Sequence, residues 1–221
     1  MKILVIAPHP DDEVLGCGGI ILKHVSGGDE VYLCVVTKAY PPEWSEDEVK
    51  ERKEEVLRVN AILGIKRTHF LDFPTVKLDA ISQKDLIQGI NQVIDKVQPA
   101  VVYIPHRGDV NADHRIVFNA TMVAIRPRPG SVIKKVLSYE TLSETEWAAP
   151  FAENTFIPNY YVDISRTLKN KLKAMSAYKT ELKQYPHPRS LEAITSLAKM
   201  RGASVGVEAA EAFMLIREIR A

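Results

Sequence analysis

The chain has 221 residues, of which 46% are hydrophobic, and its formal net charge is +1. This size and apolar content allow one domain, residues 1–221, with a sizeable core, and a charge near zero gives no field that would attract nucleic acid. The near-zero charge means that we expect no nucleic-acid partner. The sequence contains no apolar run long enough to cross a bilayer and no signal-peptide pattern, so we expect a cytoplasmic protein.

Short β-branched runs alternate with longer amphipathic segments through the first two thirds of the chain. The predicted strands lie at 3–6, 31–36, 69–73, 101–104, 134–139, 160–164 and 213–217. The predicted helices lie at about 15–25, 46–63, 82–97, 114–125, 168–178 and 190–200. This alternation predicts an α/β fold with a Rossmann-like, mostly parallel sheet flanked by helices, followed by a C-terminal helical and short-strand extension.

Polar clusters follow two of the predicted buried strands. The first strand runs into Pro8-His9-Pro10-Asp11-Asp12-Glu13, and the fourth is followed by residues 106–114, which include four acidic or imidazole side chains. In parallel α/β sheets, ligands bind at the carboxyl ends of the strands, near the point where the strand order reverses. The two clusters therefore converge if the first and fourth strands are neighbours.

The residue types in these clusters favour a divalent metal. A catalytic zinc ion takes three protein ligands from His, Asp, Glu or Cys and keeps one open position. His9 and Asp12 are spaced to chelate one ion, and His114 can supply the third bond, which leaves Asp11 free to act on a water molecule. A different interpretation stays open at this point, because lone histidines at strand ends are often hydrogen-bonded rim residues and acids are common in the first turn of a helix.

Several segments resemble those of one known family. The sequence Pro8-His9-Pro10-Asp11-Asp12-Glu13 is similar to the signature of the LmbE-like (PIG-L) N-acetylglucosaminyl deacetylases. The resemblance extends over nearly the whole chain, through the segments 52–55, 63–64, 113–115, 178–179, 187–190 and 201–202.

The resemblance implies a zinc-dependent enzyme that removes an N-acetyl group from an N-acetylglucosamine-containing small molecule. It assigns His9, Asp12 and His114 as the zinc ligands and Asp11 as the general base. Arg52 matches a family arginine that contacts the substrate, and we expect His187, which lies between two prolines, to face the same pocket from the C-terminal region.

The chain departs from the family pattern at Asn111. The family usually has a histidine three residues before its distal ligand, where it steadies the oxyanion or assists proton transfer. An asparagine can donate a hydrogen bond to an oxyanion, so we expect Asn111 to contact the substrate, but it cannot carry a proton through the reaction. His106 lies nearby in the sequence and is a candidate substitute.

Alternative functions are a nucleotide-binding protein, an aspartate-nucleophile phosphatase, and a zinc-binding protein of the same fold with another amide substrate or no catalysis. The dinucleotide motif GxGxxG is absent, and a phosphatase would give His9 and His114 no role. The sequence leaves open which acetylated sugar is the substrate, whether Fe²⁺ or Co²⁺ replaces Zn²⁺, and whether the chain forms a homo-oligomer.

Overall fold

The structure is a computed structural model that describes residues 1–220. One sheet contains seven strands, in the order β3-β2-β1-β4-β5-β7-β6. The strands are β1 (Lys2–Ala7), β2 (Glu30–Lys38), β3 (Arg67–Pro74), β4 (Val101–Ile104), β5 (Lys135–Tyr139), β6 (Tyr160–Asp163) and β7 (Ala210–Glu218). All neighbouring strands pair in parallel except β7, which is antiparallel to both β5 and β6. The predicted Rossmann-like, mostly parallel sheet is confirmed.

Six helices cover the two faces of the sheet. They are α1 (Asp12–Ser26), α2 (Glu46–Leu63), α3 (Gln83–Val97), α4 (Ala112–Ala124), α5 (Leu168–Met175) and α6 (Leu191–Ala203). Two short 3₁₀ turns lie at Leu78–Ala80 and Ala152–Asn154. Helix α2 has the predicted bounds 46–63, since Ser45 and Glu48 form a capping box at its start and Gly64 ends it at a φ of 75°.

The side chains of β1 alternate between two hydrophobic cores. Ile3 and Val5 pack with α1, α2, α5 and α6 on one face of the sheet, whereas Leu4 and Ile6 pack with α3 and α4 on the other. A strand that is buried on both faces carries an unbroken apolar run rather than an alternating one. The architecture is therefore three-layered, and β1 lies at its centre.

Two boundaries in the C-terminal third differ from the sequence prediction. The last strand covers Ala210–Glu218, nine residues, whereas the apolar pattern marked only 213–217. Pairing with β5 on one side and β6 on the other extends it through alanines of low strand propensity. Helix α5 ends at Met175 and not at the predicted residue 178. The backbone N–H groups of Ala177 and Tyr178 donate to the carbonyl oxygens three residues earlier, which tightens the chain into a turn.

The strand order places the two polar clusters together. β1 lies between β2 and β4, so the chain reverses its direction of winding at β1, and the carboxyl ends of β1 and β4 are adjacent. This is the switch point at which parallel α/β sheets bind ligands. Within residues 1–220, none of the helices combines the length and apolar character needed to cross a membrane.

Candidate metal centre and active site

Three ligand atoms meet where β1 and β4 end. Nδ1 of His9, Oδ2 of Asp12 and Nε2 of His114 lie close together, with separations of 3.3 Å between the two nitrogens, 3.3 Å from His114 to Asp12 and 3.5 Å from His9 to Asp12. A tetrahedral zinc ion with bonds of about 2.0–2.1 Å holds neighbouring ligand atoms roughly 3.3–3.4 Å apart. The triangle therefore has the dimensions of one face of such a site.

The opposite nitrogen of each histidine ring is bound to a carboxylate. His9 Nε2 lies 3.0 Å from Asp113 Oδ2, and His114 Nδ1 lies 2.8 Å from Asp109 Oδ2. A carboxylate accepts the ring proton, so the remaining nitrogens, His9 Nδ1 and His114 Nε2, are left with lone pairs that face Asp12. Three electron-pair donors that share one point, each held from behind, are the arrangement of a metal centre with its supporting carboxylates.

The charges around these histidines favour a cation between them. Burial lowers the pKa of His9, but its hydrogen bonds to Asp113 and Asp12 outweigh this and raise the pKa to about 9. Burial likewise opposes the charge on His114, whereas Asp12 and Asp109 raise its pKa well above the usual value. Protonation of the two histidines would neutralise the surrounding carboxylates, but it would occupy the nitrogen lone pairs that face Asp12. A divalent ion neutralises the same carboxylates and uses those lone pairs as ligands.

Asp11 lies beside the triangle in an unusual backbone conformation. Its φ is 99°, and its side chain is only 2% exposed. Oδ2 has no hydrogen-bond partner among the residues described, and burial raises the pKa of the carboxyl well above its ordinary value, against the effect of Arg189. A buried, unsatisfied carboxylate oxygen at a functional site is a candidate proton acceptor.

Asn111 is the N-cap of α4. Its Oδ1 accepts a hydrogen bond of 3.0 Å from the backbone N–H of Asp113, and the residue also lines the cavity next to His9. Because the cap uses the amide oxygen, the amide NH₂ is left to donate. Capping and donation to a ligand are therefore compatible in one side chain.

A cavity of about 250 Å³ opens beside the metal triangle. Arg52 of α2 lines it and pairs with Glu181 rather than with an acid of its own helix. The apolar part of the wall comes from β2, β3, α2 and the loop before α2, through Val35, Trp44, Val49, Val56 and Phe70.

The other two histidines of interest lie outside this cavity, as far as the described residues show. The ring of His187 packs edge-on against Trp147, so its contact with a substrate stays a prediction. His106 Nε2 bonds the backbone oxygen of Asn154 at 2.9 Å. His106 is thus held in a loop contact and not turned to the cavity beside Asn111.

The sequence analysis did not single out Arg189, Glu181 and Glu144 as site residues. Arg189 and Glu181 line the cavity, and Arg189 reaches Asp11, Glu181 and Glu144. These residues belong to two loops, one after β5 and one after α5. The family-like segment 187–190 was a signal for Arg189, but nothing local distinguished this residue from other surface arginines.

Fold and site together define an α/β protein with a His-Asp-His metal-type centre at the switch point of its sheet. Residues 4–125, more than half of the chain, match the PIG-L family, described as GlcNAc-PI de-N-acetylase. The chain belongs to this PIG-L (LmbE-like) family.

Three comparisons illustrate the relationship. A diacetylchitobiose deacetylase of Thermococcus kodakarensis is 30% identical over 190 residues, which cover 81% of this chain and 70% of the relative. The N,N'-diacetylchitobiose deacetylase of Pyrococcus horikoshii, solved with an inhibitor, superposes with a TM-score of 0.78 at 24% identity and covers 98% of this chain and 84% of that one. The 4-carboxy-2-hydroxymuconate hydratase of Pseudomonas putida superposes with a TM-score of 0.79 at 20% identity, over 100% and 98% of the two chains. The fold alone therefore does not define the reaction.

Proposed function

We propose that the protein is a metal-dependent hydrolase that removes the N-acetyl group from an N-acetylglucosamine-containing small molecule. The observation that carries the proposal is the buried Oδ2 of Asp11, which has no hydrogen-bond partner within residues 1–220 and lies next to the His9–Asp12–His114 triangle. The family and the named deacetylases among its relatives support the same reaction.

His9, Asp12 and His114 would hold the ion, with Asp113 and Asp109 fixing the two rings. Zn²⁺ is the metal that this ligand set and geometry favour, and Fe²⁺ or Co²⁺ accept similar ligands. When bound, zinc lowers the pKa of a water ligand toward about 7 and polarises an amide carbonyl.

Asp11 performs the proton transfers. Its free Oδ2 accepts the proton of the attacking water and returns it to the nitrogen of the leaving amine, so that one carboxyl serves as base and then as acid. Its raised pKa suits both steps, because a carboxyl that is too acidic would not hold the proton long enough to deliver it.

Asn111 and Arg52 act on the substrate. The amide NH₂ of Asn111 donates to the oxyanion while its oxygen caps α4. Arg52, held at the cavity wall by Glu181, binds hydroxyl or carbonyl oxygens of the sugar. A cavity of about 250 Å³ suits one sugar ring with its acetyl group, and leaves the rest of a larger substrate at the mouth.

The alternative is a metal-binding protein of this fold with another amide substrate or no catalysis, which the hydratase of similar fold and the Asn111 departure keep open. A screen that measures free acetate from a panel of N-acetylglucosaminides, with metal content determined on the same sample, tests the proposal. Acetate release by the wild type but not by Asp11→Asn is expected. A metal-loaded wild type that releases no acetate from any member of the panel would contradict it. The single domain 1–221, the cytoplasmic location and the homo-oligomer stay predictions.

A further inference from the structure

We propose that Arg189 is a positioning residue for Asp11, and that the segment between α5 and α6, residues 176–190, is thereby part of the active site. The proposal rests on the proposed function, in which Asp11 transfers the proton. It concerns how the carboxylate of Asp11 is kept in place and gives Arg189 no direct role in bond breaking.

Two linked hydrogen bonds hold the backbone of Asp11 in place. Its N–H donates to Glu13 Oε2 at 3.1 Å, and Glu13 Oε1 accepts a hydrogen bond of 2.6 Å from the hydroxyl of Tyr178. The left-handed backbone at Asp11 costs free energy that neighbouring contacts must offset. Tyr178, in the segment 176–190, therefore supports the backbone from which the Asp11 side chain projects.

The side chain of Asp11 has one ionic contact within residues 1–220. Nη1 of Arg189 lies 3.5 Å from Asp11 Oδ2, too long for a good hydrogen bond but close for an ion pair, and the carboxylate is almost fully buried. At that distance Arg189 attracts the carboxylate without occupying its lone pairs. Asp11 keeps a defined direction and stays free to accept a proton.

Arg189 is itself immobilised by three partners. Its Nε donates to Ser143 Oγ at 2.7 Å, its Nη1 donates to Glu181 Oε2 at 2.7 Å, and its Nη2 lies 3.4 Å from Glu144 Oε1. These contacts use all three nitrogens of the guanidinium, a planar group whose donors point in fixed directions. An ammonium group at this position would keep the charge but could not hold the same three directions.

Glu181 connects this arrangement to the substrate side of the cavity. One of its oxygens binds Arg189 and the other binds Arg52. The same carboxylate thus fixes the arginine that faces Asp11 and the arginine that we expect to contact the sugar. The segment 176–190 is therefore placed to align base and substrate together.

The kinetic test uses Arg189→Ala with Arg201→Ala as the matched control. Arg201 is buried to a similar degree, 18% exposed against 22%, and pairs with Glu140 away from the cavity. We expect Arg189→Ala to lower kcat by up to about 10²-fold, the scale of a small misplacement of a catalytic group, with KM and metal content unchanged. Guanidinium ion, added below the concentration that unfolds the protein, should restore part of kcat in Arg189→Ala and none in Asp11→Asn. A raised KM with unchanged kcat, or a folded Arg189→Ala that guanidinium does not rescue, would overturn the proposal.

The stability test measures the Tm and does not require enzymatic activity. Residues in contact show non-additive effects, whereas distant ones add. We expect Arg189→Met to lower the Tm less in the Asp11→Asn background than in the wild type, while Arg201→Met lowers it equally in both. If Arg189→Met lowers the Tm equally in the wild type and in the Asp11→Asn background, the proposed contact between Arg189 and Asp11 is overturned. If the wild type releases no acetate, the proposed function fails, but this cycle still decides whether Arg189 holds Asp11.

Discussion

Asp113 and His9 are 104 positions apart in the chain, yet Asp113 Oδ2 lies 3.0 Å from His9 Nε2. The same carboxylate accepts the backbone N–H of Val76 at 2.7 Å. Asp113 therefore joins the first turn of α4 to the loop after β1 and to the segment just after β3. It directs the other ring nitrogen of His9 toward Asp12 and His114, which is the precondition for a metal centre.

Removing the charge of Asp113 should weaken metal binding without abolishing it. An amide in Asp113→Asn presents a donor or a weaker acceptor to His9, so the ring loses its orientation. We expect the metal affinity to fall by about 10–100-fold, the usual effect of such supporting carboxylates. Titration against a competing chelator measures this, with Asp79→Asn, an exposed acid on the neighbouring turn, as the control. An unchanged affinity would contradict the role of Asp113.

Removing a direct ligand should have a larger effect. We expect one ion per chain in the wild type and loss of stoichiometric metal in His114→Ala, because only two ligands remain. Elemental analysis after dialysis measures the metal content, and His69→Ala, a histidine on β3, is the control. A His114→Ala protein that keeps full metal content and wild-type affinity would refute the ligand assignment.

The two adjacent aspartates should respond differently to the same substitution. Asp11→Asn removes a proton acceptor but no metal ligand, so we expect metal to be retained and kcat to fall by roughly 10²–10⁴-fold. Asp12→Asn should instead lose metal, since Asp12 supplies one corner of the triangle. Metal analysis and acetate release on both variants measure this. The opposite pattern would mean that the two roles are exchanged.

Asn111 caps α4 and has a proposed role as an oxyanion donor, and one substitution can separate the two. Asn111→Asp keeps the oxygen that caps α4, so the Tm should stay close to the wild type, but it replaces the amide donor with a negative charge. We expect kcat and kcat/KM to fall together, by about 10²–10³-fold, as for other oxyanion donors. Near-wild-type kcat would exclude the oxyanion role and leave only the cap. Metal content should not change, because Asn111 is not a ligand.

A buried ion pair connects the last strand to α5, and both of its residues also bond the backbone of α1. Lys171 Nζ lies 2.7 Å from Glu211 Oε1 and donates to the backbone oxygen of Leu15, while Glu211 accepts the N–H groups of Gly19 and Ile20. Lys171→Met would leave Glu211 buried with an unpaired charge, and we expect a loss of about 3–5 kcal/mol in the free energy of unfolding.

Urea denaturation measures that loss. The exposed Lys199→Met on α6 should have almost no effect. The double variant Lys171→Met/Glu211→Gln should be more stable than Lys171→Met alone, because the unpaired charge is gone. If the two have the same stability, charge burial is not what makes Lys171 important.

The order of elements and the candidate metal ligands were accessible from the sequence for local reasons. A short β-branched apolar run predicts a buried strand from its own residues alone. Residues 8–13 place a histidine and three acids in one turn directly after such a run. His114 follows the fourth strand in the same way. Because parallel strands expose their carboxyl ends at one edge, convergence of the two clusters needed only that β1 and β4 be neighbours, which the structure confirms.

The surroundings of these ligands depend on contacts between distant segments. Nothing in the local sequence tells which of Arg189 and His187, in the same proline-rich turn, faces the cavity. The packing of residues 176–190 against the loop after β5 brings Arg189 to the cavity and leaves His187 against Trp147. Likewise, Arg52 pairs with Glu181, 129 positions away, rather than with an acid on its own helix.

The sequence by itself determined which chemical groups are present and at which strand ends they lie, because strand formation and the position of a motif after a strand are local properties. Only the tertiary structure decided which nitrogen of each histidine faces Asp12, which oxygen of Asp11 is free, and how far β7 extends. Except for His114, which Asp109 orients from five residues away, those outcomes depend on partners that are distant in the chain, such as Asp113 for His9 and Arg189 for Asp11, and no local pattern encodes such a pairing.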